Sequence, residues 1–293
     1  MGPWRPRALR CRPMELGVFG LNAYTTYRPD DTVRLTQLAD ELGYDSVWAG
    51  EHVVLPSPHV APAPMQPTDP ILDPLVHLAF VAAASPRLLL GTGIIILPQR
   101  NPLVLAKQIA SLDVLSNGRL LLGLGAGYLE PEMSAIGAPM SERGRRTDDY
   151  IAAMRAVWTE PGPVTFDSPS ASFAGIDAYP RPVQAGGPRV IIGGHTPAAY
   201  RRAVRSGHGW YGFGQNPEGT AACLAGLKEA ADAVERPAGL GPLEITVTPR
   251  GRIDTAALEA FAAAGVDRLV INTAGAADAN AVAERLQATA AAR

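Results

Sequence analysis

The stretch "RLLLGTGIIILPQRNPLVLAKQIASLDVLSNGRLLLGLGAG", residues 87–127, carries in a single run the alternation that decides the fold. Its first ten residues are mostly apolar and of strand length, although Gly91 and Gly93 interrupt them. Residues 102–118 follow with the apolar spacing of a helix, opened by Pro102 and closed on Asn117-Gly118. Residues 119–127 form a second apolar run. Strand, helix and strand in this order make a βα unit of a parallel sheet. Glycine inside a strand marks a bulge, a bend or a close approach, so the two glycines raise the question of what lies against this strand.

The same alternation extends in both directions. "ELGVFG" (15–20) and "YDSVWAG" (44–50) read as strands, and residues 31–43 and 71–85 as helices. Beyond residue 127 a helix is expected from about 143 to 158. Residues 159–188 are dense in Pro, Gly and Ser, lack helical period, and read as an insertion with room for a small hairpin. The alternation then resumes with strands at 189–194, 208–214, 243–249 and 266–273 and helices at 197–207, 217–235, 255–265 and 279–293. Eight strands, each followed by a helix, predict an α/β fold of the (βα)8 TIM-barrel class with an insertion before strand five. We expect one domain over residues 14–293. The opening "MGPWRPRALRCRP" is basic and proline-rich without an apolar core, which predicts a disordered tail and points to Met14 as a natural start.

The chain has 293 residues, of which 47% are hydrophobic, enough for a sizeable core. With 26 basic against 28 acidic residues, nothing favours nucleic acid or an anionic membrane, and a small-molecule partner is expected. Cys11 and Cys223 are too few for a disulfide framework and lack metal-ligand spacing, which predicts free thiols and a cytoplasmic protein. No apolar run reaches the roughly 18 residues of a membrane span.

In a barrel the reactive groups lie where strands run into the following loops. "AGEHVV" (49–54) puts Glu51 and His52 at the end of strand two, where a carboxylate can tune a histidine for proton transfer. A surface ion pair is the plainer reading. "GGHTPAAY" (193–200) ends strand five on Gly193 and Gly194, with His195, Thr196 as N-cap and Pro197 at the first helical position. Such a turn is an ordinary strand-to-helix connection and also a seat for a phosphate. "GLGAGYLEPE" (123–132) is not a dinucleotide fingerprint, since Pro131 delays the helix it should open, but its glycines suit a flat ring across the barrel mouth. No histidine has a second ligand at metal-binding spacing, so no metal is expected.

Four blocks, "LADELGYDSVWAGEHVVLP", "GTGIIILPQRNPLVLAKQIASLDVLSNGRLLLGLGAGY", "ERGRRTDDYIAAMRAVWT" and "PRPVQAGGPRVIIGGHTPAAYRRAVRSGHGW", resemble in this order the bacterial luciferase-like superfamily, and within it the branch that uses coenzyme F420. The resemblance implies a bulge in the third strand with a non-proline cis peptide at Gly93–Ile94 that supports a flavin or deazaflavin ring. It implies cofactor contacts from Gly93, Ile94, Ile95 and Tyr128, and a phosphate at Gly193, Gly194, His195 and Thr196. It places His52 beside the reactive ring carbon and Glu51 where several deazaflavin enzymes have an aspartate. Where sugar-phosphate dehydrogenases of the family have an acid after the fourth-strand glycines this chain has Tyr128, which leaves Tyr128, Glu130 and Glu132 open as proton donors.

The resemblance favours hydride transfer between F420 and a small organic substrate, in a homodimer. An FMN-dependent monooxygenase, fed by a separate reductase, is the alternative. A non-catalytic flavin-binding protein and a glycoside hydrolase built on Glu51 and Glu132 are readings of other classes.

Overall fold

The computed structural model describes residues 14–251 and 253–293; the expected tail, with Cys11, lies outside them. The elements in chain order are β1 (Glu15–Phe19), α1 (Pro29–Glu41), β2 (Ser46–Ala49), α2 (Pro74–Ala84), β3 (Leu89–Thr92), β4 (Ile95–Ile96), α3 (Pro102–Leu115), β5 (Leu120–Gly125), α4 (Glu130–Ala135), α5 (Arg143–Thr159), β6 (Val164–Asp167), β7 (Ser172–Ile176), β8 (Arg189–Gly193), α6 (Pro197–Ser206), β9 (Gly209–Gln215), α7 (Pro217–Ala233), β10 (Glu244–Pro249), α8 (Thr255–Ala263), β11 (Arg268–Asn272) and α9 (Ala279–Ala291). Every barrel pairing is parallel, and β11 returns to pair with β1, which closes the sheet. With β4 continuing β3, eight strand positions surround the axis, and the protein is a TIM barrel. The insertion holds the antiparallel hairpin of β6 and β7, with Phe166 stacked on Phe173.

Local chemistry starts α3, α6 and α7 where the sequence predicts, whereas α1 begins at Pro29 and α2 at Pro74 and not at residues 31 and 71. Asn101 accepts from the backbone of Leu103 and Val104 at the head of α3, and Pro102 stands in its first turn. Asp73, Thr196 and Asn216 cap α2, α6 and α7 in the same way.

The third strand contains a bulge. Leu90 and Gly91 pair with Leu120 and Leu121, whereas Ile95 pairs with Leu124, so four steps along this strand match three along β5. The Gly93–Ile94 peptide within the bulge is cis. Here the bulged backbone presses into β5, and a Cβ on Gly123 would lie 1.8 Å from the Thr92 carbonyl oxygen. Gly91 has a different partner, because a Cβ there would lie 2.2 Å from the Trp48 ring.

Trp48 stacks on Tyr211 inside the barrel, at 5.3 Å between ring centroids, in a small interior cluster with Leu121, Ile191 and Val270. Beneath them, at the N-terminal ends of the strands, buried Arg268 pairs with Glu15 and Glu244, and Arg189 reaches Glu244 at 2.7 Å. The main core fills the space between the sheet and the helices. Charged side chains and aromatic rings therefore fill the lower barrel among the described residues. Among the described residues no helix is long and apolar enough to cross a membrane.

Candidate functional site

A cavity of about 960 Å³ opens at the C-terminal ends of the strands. Its volume falls in the range of small-molecule and cofactor sites, roughly 300–1,000 Å³. The bulge builds its floor. Ile94 is pushed into the mouth, and the absent side chains of Gly125 and Gly193 make room for it, since Cβ atoms there would lie 2.4 and 2.9 Å from Ile94 atoms. Beside it, Gly93 leaves a flat surface next to Phe19 and the Tyr211 hydroxyl, which a Cβ would approach to 3.1 and 3.2 Å. Both Gly93 and Ile94 border the cavity.

On one wall stands His52, whose side chain is 9% exposed. Its Nδ1 lies 2.8 Å from Oε2 of Glu132, and the other Glu132 oxygen accepts the Val53 N–H at 2.7 Å. The Glu132 carboxylate is fully buried, so the ring is held from behind. His52 Nε2 has no hydrogen-bond partner among the described residues. Tyr128 meets the imidazole edge-on at 6.2 Å. Burial, with the Glu132 carboxylate adding to it, raises the Tyr128 phenol above its ordinary value.

Glu51 does not back His52, which corrects the expectation drawn from their adjacency. Successive residues of an extended chain point to opposite sides, so neighbours at the end of β2 face different surroundings. Glu51 accepts the Ile96 N–H at 2.6 Å and the Arg100 Nε–H at 2.8 Å, with a second bond from Arg100 Nη2. Arg100 also reaches Asp73, the residue that caps α2. Burial pushes the Glu51 carboxyl up while Arg100 works against that shift. Burial opposes the Arg100 charge in turn, but Glu51 and Asp73 hold its pKa above the usual value. Glu51 therefore ties the bulged third strand to β2 and α2.

Across the cavity lies the turn at 193–196. Gly194 has φ +126°, a conformation L side chains rarely adopt, and its carbonyl accepts from the Trp210 indole at 2.8 Å. Thr196 accepts from Ala199 at the head of α6, while the N–H groups of His195 and Thr196 have no partner among the described residues. Arg143 and Arg202 border the same end of the cavity.

The structure thus brings Glu51, His52, Gly93, Ile94, Tyr128, Gly193, Gly194, His195 and Thr196 to one cavity. Ile95 is the exception, for its side chain is fully buried in the main core and faces away. Sequence reasoning missed Arg100, Asp73 and Arg202. It had Glu132 as an open candidate and not as the partner of His52, because the short helix α4, which starts at Glu130 with Pro131 in its first turn, went unrecognised.

The chain belongs to the luciferase-like monooxygenase family, whose profile matches residues 14–293. It is 31% identical over 200 residues to the uncharacterized protein Rv0953c of Mycobacterium tuberculosis, covering 66% of this chain and 71% of that protein. The oxygenase component of the flavin-dependent trigonelline monooxygenase of Acinetobacter baylyi is 28% identical over 180 residues, which is 61% of this chain and 46% of that protein. Among solved structures, an F420-dependent secondary alcohol dehydrogenase in complex with an F420–acetone adduct superposes with a TM-score of 0.78 at 16% identity, over 96% of this chain and 98% of the other. Monooxygenase RslO1 from Streptomyces bottropensis gives 0.77 at 24% identity, over 95% and 98%. Those two likenesses establish the fold. As a member of this family the chain is an oxidoreductase of the luciferase-like kind.

Proposed function

We propose that the chain transfers hydride between coenzyme F420 and a small organic substrate, with His52 as the group that exchanges the accompanying proton. The observation that carries this reading is the His52–Glu132 pair, which holds the imidazole of a cavity-lining residue at Nδ1, with Nε2 lacking a partner among the described residues. The deazaflavin supplies a two-electron hydride carrier. Oxidation of an alcohol, or reduction of a carbonyl, requires a proton to leave or arrive at oxygen as hydride moves. A neutral imidazole with Nδ1–H donated to Glu132 accepts that proton at Nε2, and the buried carboxylate stabilises the imidazolium that results.

The surroundings fit the cofactor. Gly93 and Ile94 make a floor for a planar ring, and the free N–H groups of His195 and Thr196, at the positive end of α6, suit a phosphate. Arg143 adds positive charge at that end, and Arg202, which is paired with Asp148, borders it too. Glu51 acts as a positioning residue for the floor, since it holds Ile96. The other end of the cavity, bordered by Tyr24, Met65, Ile71 and Tyr128, carries no arginine or lysine and suits an uncharged substrate.

A second reading, an FMN-dependent monooxygenase served by a reductase, draws on the 28% identity to the oxygenase component from Acinetobacter baylyi. One experiment separates the two. The protein is mixed with F420 and a panel of alcohols, then with reduced F420 and carbonyl compounds, and in parallel with reduced FMN and oxygen. Turnover of F420 without oxygen supports the proposal. Oxygen-dependent product formation with FMN alone overturns it.

A further inference from the structure

Two histidines border the cavity, and they are backed by opposite chemistry. His52 has a carboxylate behind it, whereas His195 is met by an amide. Gln215 Nε2 lies 3.3 Å from His195 Nε2 and 3.0 Å from the Phe213 carbonyl oxygen. A carbonyl oxygen only accepts, so the amide atom between the two is the nitrogen, and its second hydrogen goes to the imidazole. Oε1 on the other side accepts from Cys223 Sγ at 3.8 Å, and Gly219 leaves it room, since a Cβ there would lie 2.7 Å away. With the amide turned this way His195 Nε2 is an acceptor, and the proton of the neutral ring sits on Nδ1.

An extra residue in β9 makes the contact. Thr248 pairs with Phe213 but Pro249 with Gln215, and Gly214 between the two has φ +69°. Phe213 borders the cavity, and an unbroken strand would carry Gln215 on the same face. The bulge takes Gln215 out of the cavity wall and sets it beside His195. The other neighbours disfavour an imidazolium too. Trp210 meets the ring edge-on at 6.1 Å, and the charged side chains bordering this end are the cations Arg143 and Arg202, the second of them paired with Asp148. No carboxylate pairs with His195 among the described residues, and burial lowers its pKa from the ordinary value. Nδ1 has no partner among the described residues. It is the ring nitrogen bonded to Cγ, and so the one nearer the backbone of its own residue, where the N–H groups of His195 and Thr196 are free.

We propose that Gln215 is a positioning residue that holds His195 as a neutral imidazole, so that its Nδ1–H joins the backbone N–H groups of His195 and Thr196 in donating to the phosphate of the cofactor. This assignment rests on the cofactor reading above and divides the work between the histidines: His52, backed by Glu132, takes up a proton, and His195, backed by an amide, keeps one. Gln215→Glu reverses the contact. A carboxylate there accepts from Nε2–H and raises the imidazole pKa. Once that ring is neutral, Nδ1 turns a lone pair toward the phosphate.

The test combines imidazole nitrogen NMR with a fluorescence titration of F420, for wild type, Q215E and Q215M between about pH 5.5 and 8, the range in which histidine ordinarily titrates. The His195 signals are assigned by their loss in H195Q, and circular dichroism establishes that each variant is folded. In wild type the Nδ1–H tautomer should persist over the whole range. In Q215E the ring should be an imidazolium at the acid end and the Nε2–H tautomer at the alkaline end. The ratio of Kd in Q215E to Kd in wild type cancels pH effects that belong to the deazaflavin or to His52. That ratio should be close to one at the acid end and rise to roughly tenfold or more at the alkaline end, the loss of one hydrogen bond to a charged group. Q215M removes the donor without supplying an acceptor and should weaken alkaline binding less than Q215E does. The wild-type tautomer and Q215M carry the test if Q215E does not fold. A wild-type His195 protonated on Nε2, a ratio level with pH, or a Q215M as weak as Q215E overturns the proposal, while F420 binding by wild type keeps the cofactor reading. Absence of F420 binding overturns both.

Discussion

His52 and Glu51 are neighbours in sequence with opposite surroundings. The first faces the cavity with Glu132 behind it, and the second faces Arg100 and the third strand. This division predicts different phenotypes. His52→Ala should slow the hydride-transfer step about 10²–10⁴-fold, the usual contribution of general acid–base catalysis, with cofactor affinity nearly unchanged. Glu132→Gln keeps the shape but removes the charge beside the imidazole, and should slow the same step less. Single-turnover rates and cofactor titrations on the same preparations check both. A His52→Ala protein with a normal rate would remove this residue from the mechanism. Of the residues in the site, those set at strand ends were legible from the sequence, because strand periodicity and turn chemistry are local. The Glu132–His52 contact was not legible, because it joins residues 80 positions apart, one in the loop after β2 and the other in α4.

At the scale of the element, the third strand depends on contacts that the sequence only hints at. Gly91 and Gly93 pointed to a bulge, a bend or a close approach, and the structure supplies separate neighbours for them: Trp48 for the first, Phe19 and Tyr211 for the second. The eight strands and their helices were readable because apolar runs, N-caps and glycine stops are encoded within a few residues of one another. α4 was missed because Pro131 reads as a break, although proline is tolerated in a first helical turn. The bulge is held by the buried Glu51–Arg100 pair, and this gives a prediction on stability. Arg100→Met leaves the Glu51 carboxylate buried without its partner and should destabilise the fold by about 3–5 kcal/mol. Glu51→Gln/Arg100→Met, which removes both charges, should recover a large part of that loss. Chemical denaturation of the three proteins measures it. Equal stability of Arg100→Met and wild type would show that the pair does not hold the strand.

For the whole molecule, buried His77, half-buried His208 and the charged cluster at the N-terminal ends of the strands set the response to acid. Burial lowers His77 to about 4, and both of its ring nitrogens lack a partner. His208 is also lowered to about 4, by burial first and by Arg155, Arg189 and Arg236 beside it. Both stay neutral in the fold while the unfolded chain takes up protons near pH 6.5, so their stabilisation is complete above pH 6.5 and declines as pH falls toward 4. At Glu244, burial would raise the carboxyl, but Arg268 and Arg189 hold it below the ordinary range. Its stabilisation is complete above the usual glutamate pKa and is lost as pH falls through its lower folded value. Acid should therefore weaken the protein in two stages. His77→Leu removes two unsatisfied buried atoms and should raise stability at pH 5 by about 1–3 kcal/mol while flattening the first stage. Melting temperatures between pH 7 and 4 test this, and an unchanged slope in His77→Leu would assign the first stage to other groups.

On the proposed function, one ligand lies from the ring floor at Gly93–Ile94 to the turn at Gly193–Thr196, both of which border the same cavity. The most direct test is an equilibrium titration of the protein with F420, with the same deazaflavin lacking its phosphate, and with FMN. The account predicts submicromolar binding of F420, weaker binding of FMN, and a loss of at least tenfold when the phosphate is absent. Binding that is indifferent to the phosphate, or tight binding of FMN with none of F420, would contradict it.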